Sequence, residues 1–280
     1  MRGIDKTPNP RDFAVGVGPN FDVAERAFEG RASEVRLGQD LVPKVLTQRS
    51  RLRPSASLLL AVSGVDASGK GYVAARISEL LHLNGLSAVT IGVDPWLGDP
   101  RQWSGKRNAG ELFYRYGIRF DDLFRTLVLP LKQQGSITLP ATLRRQIDSA
   151  QYSHIYDYRD VDVIVLEGIF LLKRALRSHH DLSLWVECSF QTSLERALQR
   201  NQEGLPPALI ARDYHSIYHP AQRIHFAVDH PRGSADQVFL NDPRLRGIAL
   251  GLGYEGGLDA VQRNVSAGTG FGKIKLVAAD

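Results

Sequence analysis

Leu58-Leu59-Leu60-Ala61-Val62-Ser63-Gly64-Val65-Asp66-Ala67-Ser68-Gly69-Lys70 joins an unbroken apolar run to a glycine-rich turn. A strand buried on both faces of a sheet reads as such a run, without the alternation of a half-exposed strand. The segment beyond it changes period: Val73, Ile77, Leu80 and Leu81 share one helical face, and Gly85 stands where a C-terminal cap belongs. A GxxxxGK loop, Gly64 to Lys70, therefore lies between a buried strand and an amphipathic helix. In that setting the glycines let backbone N–H groups converge on phosphate oxygens at the positive end of the helix dipole. Lys70 adds a mobile positive charge for the β- and γ-phosphates. The spacing predicts ATP binding by Gly64, Val65, Asp66, Ala67, Ser68, Gly69, Lys70, Gly71 and Tyr72.

Outward from this centre, a second strand is expected over Ala88 to Val93, ending at Asp94-Pro95. A helix is expected from Arg119 to Gln133, with Phe120, Leu123, Phe124 and Leu127 facing inward. Further strands are expected at Val161 to Leu166, Leu182 to Cys188 and Gln237 to Leu240. Strands separated by helical patterns define an α/β chain with a doubly wound parallel sheet and helices on both faces, and the GxxxxGK loop makes it a P-loop NTPase, the fold class in which a helical lid is expected. Such sheets bind ligands at the carboxyl ends of their strands. The expected organisation is an extension over 1–55, helical from Leu41 to Arg51, a P-loop domain over 56–245 and a glycine-rich tail over 246–280.

With 280 residues, 43% hydrophobic and 23% charged, the chain is neither disordered nor fibrous and can bury a large core. No stretch approaches the roughly 20 apolar residues of a membrane span, and Met1 to Arg11 is polar, so a cytoplasmic protein with no membrane partner is expected. The single cysteine, Cys188, lies in an apolar run and reads as a buried structural thiol. The net charge of +5 is spread among acidic residues with no basic block, so a small polyanionic substrate accounts for it as well as nucleic acid does. A homo-oligomer is compatible with the sequence.

Three positions carry the remaining chemistry. The residue after the loop lysine, usually a Ser or Thr whose hydroxyl holds Mg²⁺, is Gly71, which has no oxygen to offer. Glu167 ends the third apolar run and reaches the sheet edge of the loop, where a carboxylate holds Mg²⁺ or, blandly, caps a helix. Asp94 ends the second strand beside the first, placed either to accept the proton of an attacking hydroxyl or simply to start a turn before Pro95.

The order of these parts, from Leu58 to Asp242, resembles the uridine kinase branch of the P-loop kinases, relatives of phosphoribulokinase and bacterial pantothenate kinase. The resemblance implies that Asp94 is the catalytic base and that Val163-Ile164-Val165-Leu166-Glu167-Gly168-Ile169 delivers a metal-binding carboxylate. It further implies that Arg196 and Arg200, which alone read as an exposed helix face, are lid arginines that clamp phosphate. Tyr214, Pro220 and Ala235-Asp236 also match family positions. Adenylate kinases place glycine after the lysine but restore a threonine next, where this chain has Tyr72. The loop also resembles that of type-two polyphosphate kinases, which implies a metal role for Asp66 in place of the missing hydroxyl. The acceptor segment departs from the family: Leu112-Phe113-Tyr114-Arg115-Tyr116 stands where uridine kinases carry Asn-Phe-Asp-His-Pro, so nucleoside specificity does not transfer.

The implied activity is transfer of the γ-phosphoryl of ATP, with Mg²⁺, to a hydroxyl of a small, nucleoside-like molecule. A kinase for another small acceptor and a nucleotide-binding regulator with little turnover remain open; a nucleic-acid-linked ATPase is the weaker rival and no nucleic-acid partner is expected, because the chain has no dense basic stripe and no nucleic-acid motif. Tyr114, Arg115, Tyr116 and Arg119 read either as an acceptor lining or as a helix face packed in the core. His179-His180 reads as a solvated turn, and the spacing of His215, His219, His225 and His230 fits no metal motif.

Overall fold

The computed structural model describes residues 37–145, 148–202 and 204–245. Among them the strands, in chain order, are β1 (Leu58–Gly64), β2 (Ala88–Gly92), β3 (Ile137–Arg144), β4 (Gln151–Tyr158), β5 (Val163–Gly168), β6 (Leu182–Glu187) and β7 (Gln237–Leu240). Five form one parallel sheet in the order β2-β5-β1-β6-β7. All seven residues of β1 are buried, as its unbroken apolar run requires of the central strand. The chain leaves β1 toward β2 on one side and later builds β6 and β7 on the other, so the strand order reverses at β1. That reversal opens a crevice at its carboxyl end.

The α-helices among the described residues are α1 (Val42–Arg49), α2 (Lys70–Leu83), α3 (Ala109–Tyr116), α4 (Phe120–Leu123), α5 (Leu129–Gln134), α6 (Phe190–Arg200), α7 (Pro207–Asp213), α8 (His219–Asp229) and α9 (Pro231–Ser234). α2 begins directly on the loop lysine, packs across β1, β2 and β5, and buries Val73, Ala74, Ile77 and Leu81. Gly85 has a positive φ of 79°, as its capping position predicts. α1 matches the expected helix before Pro54, with Val45 fully buried and Arg49 paired to Asp162 at 2.8 Å. The expected extension and tail fall largely on 1–36 and 246–280, which lie outside the described residues.

The helix expected from Arg119 to Gln133 runs without a gap over residues 120–134, but its hydrogen-bond pattern changes midway. α4 and α5 are separated by a wide π turn, Phe124–Val128, in which Leu129 N–H reaches back five residues to Phe124 O. Pro130 is the cause: without an N–H it cannot continue the i to i−4 ladder, and its ring crowds the carbonyl four residues earlier. The same device recurs. The π turns Leu37–Leu41 and Tyr214–Tyr218 are likewise followed by one residue and then a proline, Pro43 and Pro220.

β3 and β4 form an antiparallel ribbon apart from the main sheet, in register from Ile137 opposite Tyr158 to Arg144 opposite Gln151. Leu139 pairs with Tyr156 and Leu143 with Tyr152 on its inner face, while Ile155 on the other face is 64% exposed. Trp96 carries the ribbon: its ring stacks on Tyr156 with centroids 6.2 Å apart, and its Nε1–H donates to the Tyr156 hydroxyl at 3.2 Å.

Gly168 holds the end of β5 against the turn that follows β2. A Cβ there would meet Val93 Cγ2 at 2.1 Å, with a second Val93 methyl at 2.9 Å. Gly168→Ala is expected to destabilise the protein by about 1–3 kcal/mol through this overpacking, read as a lower urea midpoint at unchanged slope.

Candidate active site

The loop between β1 and α2 is built by close contacts that exclude side chains. Gly69, with φ at +86°, has no room for a Cβ, which would meet Asn241 Nδ2 at 2.4 Å. A Cβ on Gly64 would meet Ser68 Oγ at 2.6 Å and Val186 O at 2.7 Å. Asn241, just beyond β7, donates from Nδ2 to Ser68 O at 2.7 Å, and Ser193 on α6 donates to Asp66 O at 2.8 Å. The loop is thus tied from both sides, and the first turn of α2 presents its N–H groups to the crevice.

Register delivers the acids to the same place. Gly92, last in β2, pairs with Glu167, and Val62 of β1 pairs with Glu167 from the other side. Asp94 opens a 3-10 turn immediately past β2. Lys70 is only 7% exposed, and its Nζ lies 4.0 Å from Asp66 Oδ1. The charges of Lys70 and Arg200 act on all three carboxyls, Asp66, Asp94 and Glu167. Burial opposes ionisation of Asp66, but Lys70 and Arg200, the Tyr214 hydroxyl and the Ala67 N–H together hold its carboxyl below the usual range. Burial pushes the Asp94 carboxyl up, and the Asp66 charge adds to that, against Lys70 and Arg200. Glu167 is pushed up to about 7 by burial, reinforced by Asp94 and Asp66 and opposed by Lys70.

These carboxylates fit a divalent cation in one respect. Asp94 and Glu167 sit partly buried with no hydrogen-bond donor among the described residues, so their charge is compensated only at a distance. Even so, among the described residues no three His, Cys, Asp or Glu side chains converge into a ready metal cage.

The raised pKa of Glu167 has a consequence for stability. A carboxyl whose folded pKa exceeds its unfolded value adds stability below the unfolded pKa and loses it as pH rises through the folded value. Glu167→Gln is therefore expected to stabilise the nucleotide-free protein by a few kcal/mol at pH 8 and by much less at pH 5, measured by urea unfolding at the two pH values.

Arg196 and Arg200 lie on α6, whose N-terminus is capped by Ser189. Arg196 Nη1 donates to Ser68 O at 3.1 Å and contacts Cys188 Sγ at 3.7 Å, so this arginine already touches the loop. Arg200 is exposed, and its charge reaches all three carboxylates. Cys188 is buried, and its thiol is pushed up to about 12 by burial, as expected of a structural thiol.

Tyr214 was matched by position without a role. The π turn before Pro220 aims it into the site, where its hydroxyl donates to Asp66 Oδ2. Asn241 is a further residue that sequence reasoning passed over; its place at the carboxyl end of β7 was the available signal.

One expectation is corrected. His179 and His180 are not a solvated turn: both rings lie against Phe124, at centroid distances of 5.3 and 6.1 Å, and burial pushes His180 down to about 4. Of the two readings of Tyr114, the structure carries the packed helix face. Its hydroxyl donates to Asp229 at 2.6 Å, beside a bond between His225 Nδ1 and the same carboxylate at 2.7 Å, and its ring packs on Phe170. Arg115 pairs with Glu111 at the surface and Tyr116 is 49% exposed. Of that segment only Arg119 stays beside the Asp94 turn, with its guanidinium over the Trp96 ring and Nη2 donating to Thr142 O on the ribbon at 2.8 Å. His215, His219, His225 and His230 form no metal cluster among the described residues.

No family model matches the chain, and no curated protein matches it in sequence. Solved structures do. A protein described as a possible uridine kinase from Bacillus stearothermophilus superposes with a TM-score of 0.53 at 19% identity, over 72% of this chain and 98% of that one. A protein described provisionally as a fructose transport system kinase from Silicibacter sp. TM1040 gives 0.55 at 23% identity, over 71% and 98%. The YGR205w protein gives 0.50 at 16% identity, over 72% and 92%. The chain therefore has the α/β fold of the P-loop kinases, with a five-stranded parallel sheet and helices around it. Among the described residues no helix is long and apolar enough to cross a membrane.

Proposed function

We propose that the protein is a cytoplasmic ATP-dependent kinase that transfers the γ-phosphoryl group to a hydroxyl of a small, nucleoside-like molecule. The observation that carries this reading is the gathering of Asp66, Asp94 and Glu167 about Lys70 and Arg200 at the carboxyl ends of β1, β2 and β5. Lys70 and the amides of Gly64 to Gly71 and Tyr72 bind the phosphates. Glu167 and Asp66 would hold Mg²⁺, which when bound neutralises charge on the β- and γ-phosphate oxygens. Asp94 takes the acceptor's hydroxyl proton onto a carboxylate oxygen as the acceptor oxygen bonds to the γ-phosphorus and the bond to the bridging β-oxygen breaks, releasing ADP. Burial raises the Asp94 carboxyl and makes its carboxylate a stronger base, while the charges of Lys70 and Arg200 pull the other way. Arg196 and Arg200 close over the transferred group and exclude water. The acceptor side is bounded by Trp96, Arg119 and the β3–β4 ribbon.

The test is ATP consumption with Mg²⁺ against nucleosides, pantothenate and sugar phosphates, beside no-acceptor controls. Acceptor-dependent release of ADP supports the reading and names the acceptor class. Tight ATP binding with no turnover on any acceptor favours instead the regulator, a reading motivated by Gly71.

A further inference from the structure

We infer that the protein carries a second anion site, at the amino ends of its strands, that takes the phosphate monoester of a small, sugar-sized molecule. A cavity of about 440 Å³ opens there, within the range that holds small ligands. Arg51, Arg53, Lys132 and His179 line it, and among the described residues no carboxylate does. Ser57, on its wall, immediately precedes β1, and His179 lies just ahead of β6. The seven residues of β1 span about 20 Å. The cavity is therefore at the opposite end of that strand from the loop that opens α2, and the two sites share no residue.

The backbone that carries these cations is fixed. Arg49 anchors the segment of Arg51 and Arg53: it pairs with Asp162 at 2.8 Å and donates from Nη2 to Pro54 O at 2.9 Å. Ala56 N–H closes the turn onto Arg53 O at 3.0 Å, and Ser57 N–H donates to Lys132 O at 2.8 Å. Arg51 and Arg53 are exposed, Arg53 Nη2 makes a long contact to Gln133 O at 3.5 Å, and among the described residues neither guanidinium pairs with a carboxylate. Lys132 donates to His179 O at 2.6 Å and to Asp181 Oδ1 at 2.9 Å, which leaves the third hydrogen of its ammonium for a ligand. The opposing charge is smaller. Lys132 and Asp181 cancel, and the carboxyl ends of α1 and α5 bring at most about half a negative charge each against two guanidinium groups. Planar pairs of N–H donors match phosphate oxygens, and Leu52, Ala56 and Leu129 give a carbon skeleton an apolar wall.

Two measurements on the full chain test this: isothermal titration calorimetry for affinity, and phenylglyoxal labelling of arginines, read by peptide mass spectrometry, for location. The probes are glucose, ribose and glycerol, each esterified with phosphate on its terminal hydroxyl, with glucose itself as the uncharged control. At least one of the phosphates is expected to bind with a dissociation constant below about 1 mM and to slow labelling of Arg51 and Arg53 at least about 5-fold, while glucose does neither. With Arg51→Ala and Arg53→Ala combined, its affinity is expected to fall at least about 10-fold. ATP affinity in that variant stays within about 2-fold of wild type, because the cavity lies beyond the screening length of the loop. No saturable binding of any probe, an unchanged affinity in the folded double variant, or protection that falls on Arg196 and Arg200 in place of Arg51 and Arg53 each overturns the inference, the last by placing the phosphate in the nucleotide crevice. Labelling of the wild type decides even if the variant fails to fold. Loss of this site leaves the kinase reading standing, since none of its residues belongs to that crevice.

Discussion

Lys70→Ala is expected to lose phosphoryl transfer by at least about 10³-fold and to raise the ATP dissociation constant beyond the reach of ordinary titration. Lys70 is the buried cation of the site, 7% exposed and central to the field at Asp66, Asp94 and Glu167. In the proposed role, its removal withdraws the positive charge that meets the β- and γ-phosphates and leaves three carboxylates repelling them. The two losses act in the same direction on nucleotide binding. A second signature separates this from simple misfolding. Without Lys70 the Asp94 and Glu167 carboxyls are pushed further up, so the variant loses stability relative to wild type as pH rises through their folded values and recovers it on acidification. Urea unfolding at pH 5 and pH 8 reads this directly. A variant that is equally destabilised at both values, or that still turns over ATP, contradicts the charge assignment made here.

The centre of the fold and the position of the acids were legible because each rests on a local rule. β1 must be buried on both faces, and a 2-state alternation is replaced by an unbroken run; a GxxxxGK turn that opens a helix has few other uses. Asp94 and Glu167 follow from strand ends alone, since parallel strands in register deliver their last residues to one edge. The parts that were not legible depend on partners distant in sequence. The β3–β4 ribbon hides because Tyr152, His154, Tyr156 and Tyr158 on one face mix aromatic and polar character, and what identifies that face as inner is Trp96, some sixty residues earlier. His180 looks solvated until Phe124 is placed against it. The π segment between α4 and α5 carried a signal that helical periodicity cannot use: an apolar stripe tolerates a one-residue insertion, whereas Pro130 does not tolerate an uninterrupted i to i−4 ladder. The π turn before Pro220 carries Tyr214, whose hydroxyl donates to Asp66, so a proline effect on helix geometry reaches the loop between β1 and α2.

Asp94→Asn is expected to behave in the opposite way to Lys70→Ala on binding and in the same way on turnover. ATP affinity with Mg²⁺ should stay within about 3-fold of wild type or improve, because one repelling charge is gone. Turnover on the true acceptor should fall by about 10²- to 10⁴-fold, the range for loss of a positioned general base. The substitution is a fair probe of role because the Asp94 carboxylate accepts no hydrogen bond among the described residues, and an amide of the same shape fits its turn before Pro95. Folding offers a check as well: burial and the Asp66 charge raise the Asp94 carboxyl, so the neutral amide is expected to stabilise the protein at pH 8 and to do so less at pH 5, by the same linkage that governs Glu167. A stabilised variant that binds ATP and does not transfer its phosphoryl group marks Asp94 as a group retained for chemistry at a cost to the fold. Full activity in that variant would move the proton acceptor elsewhere, and Glu167, which pairs with Gly92 at the end of β2, would be the next carboxylate to replace.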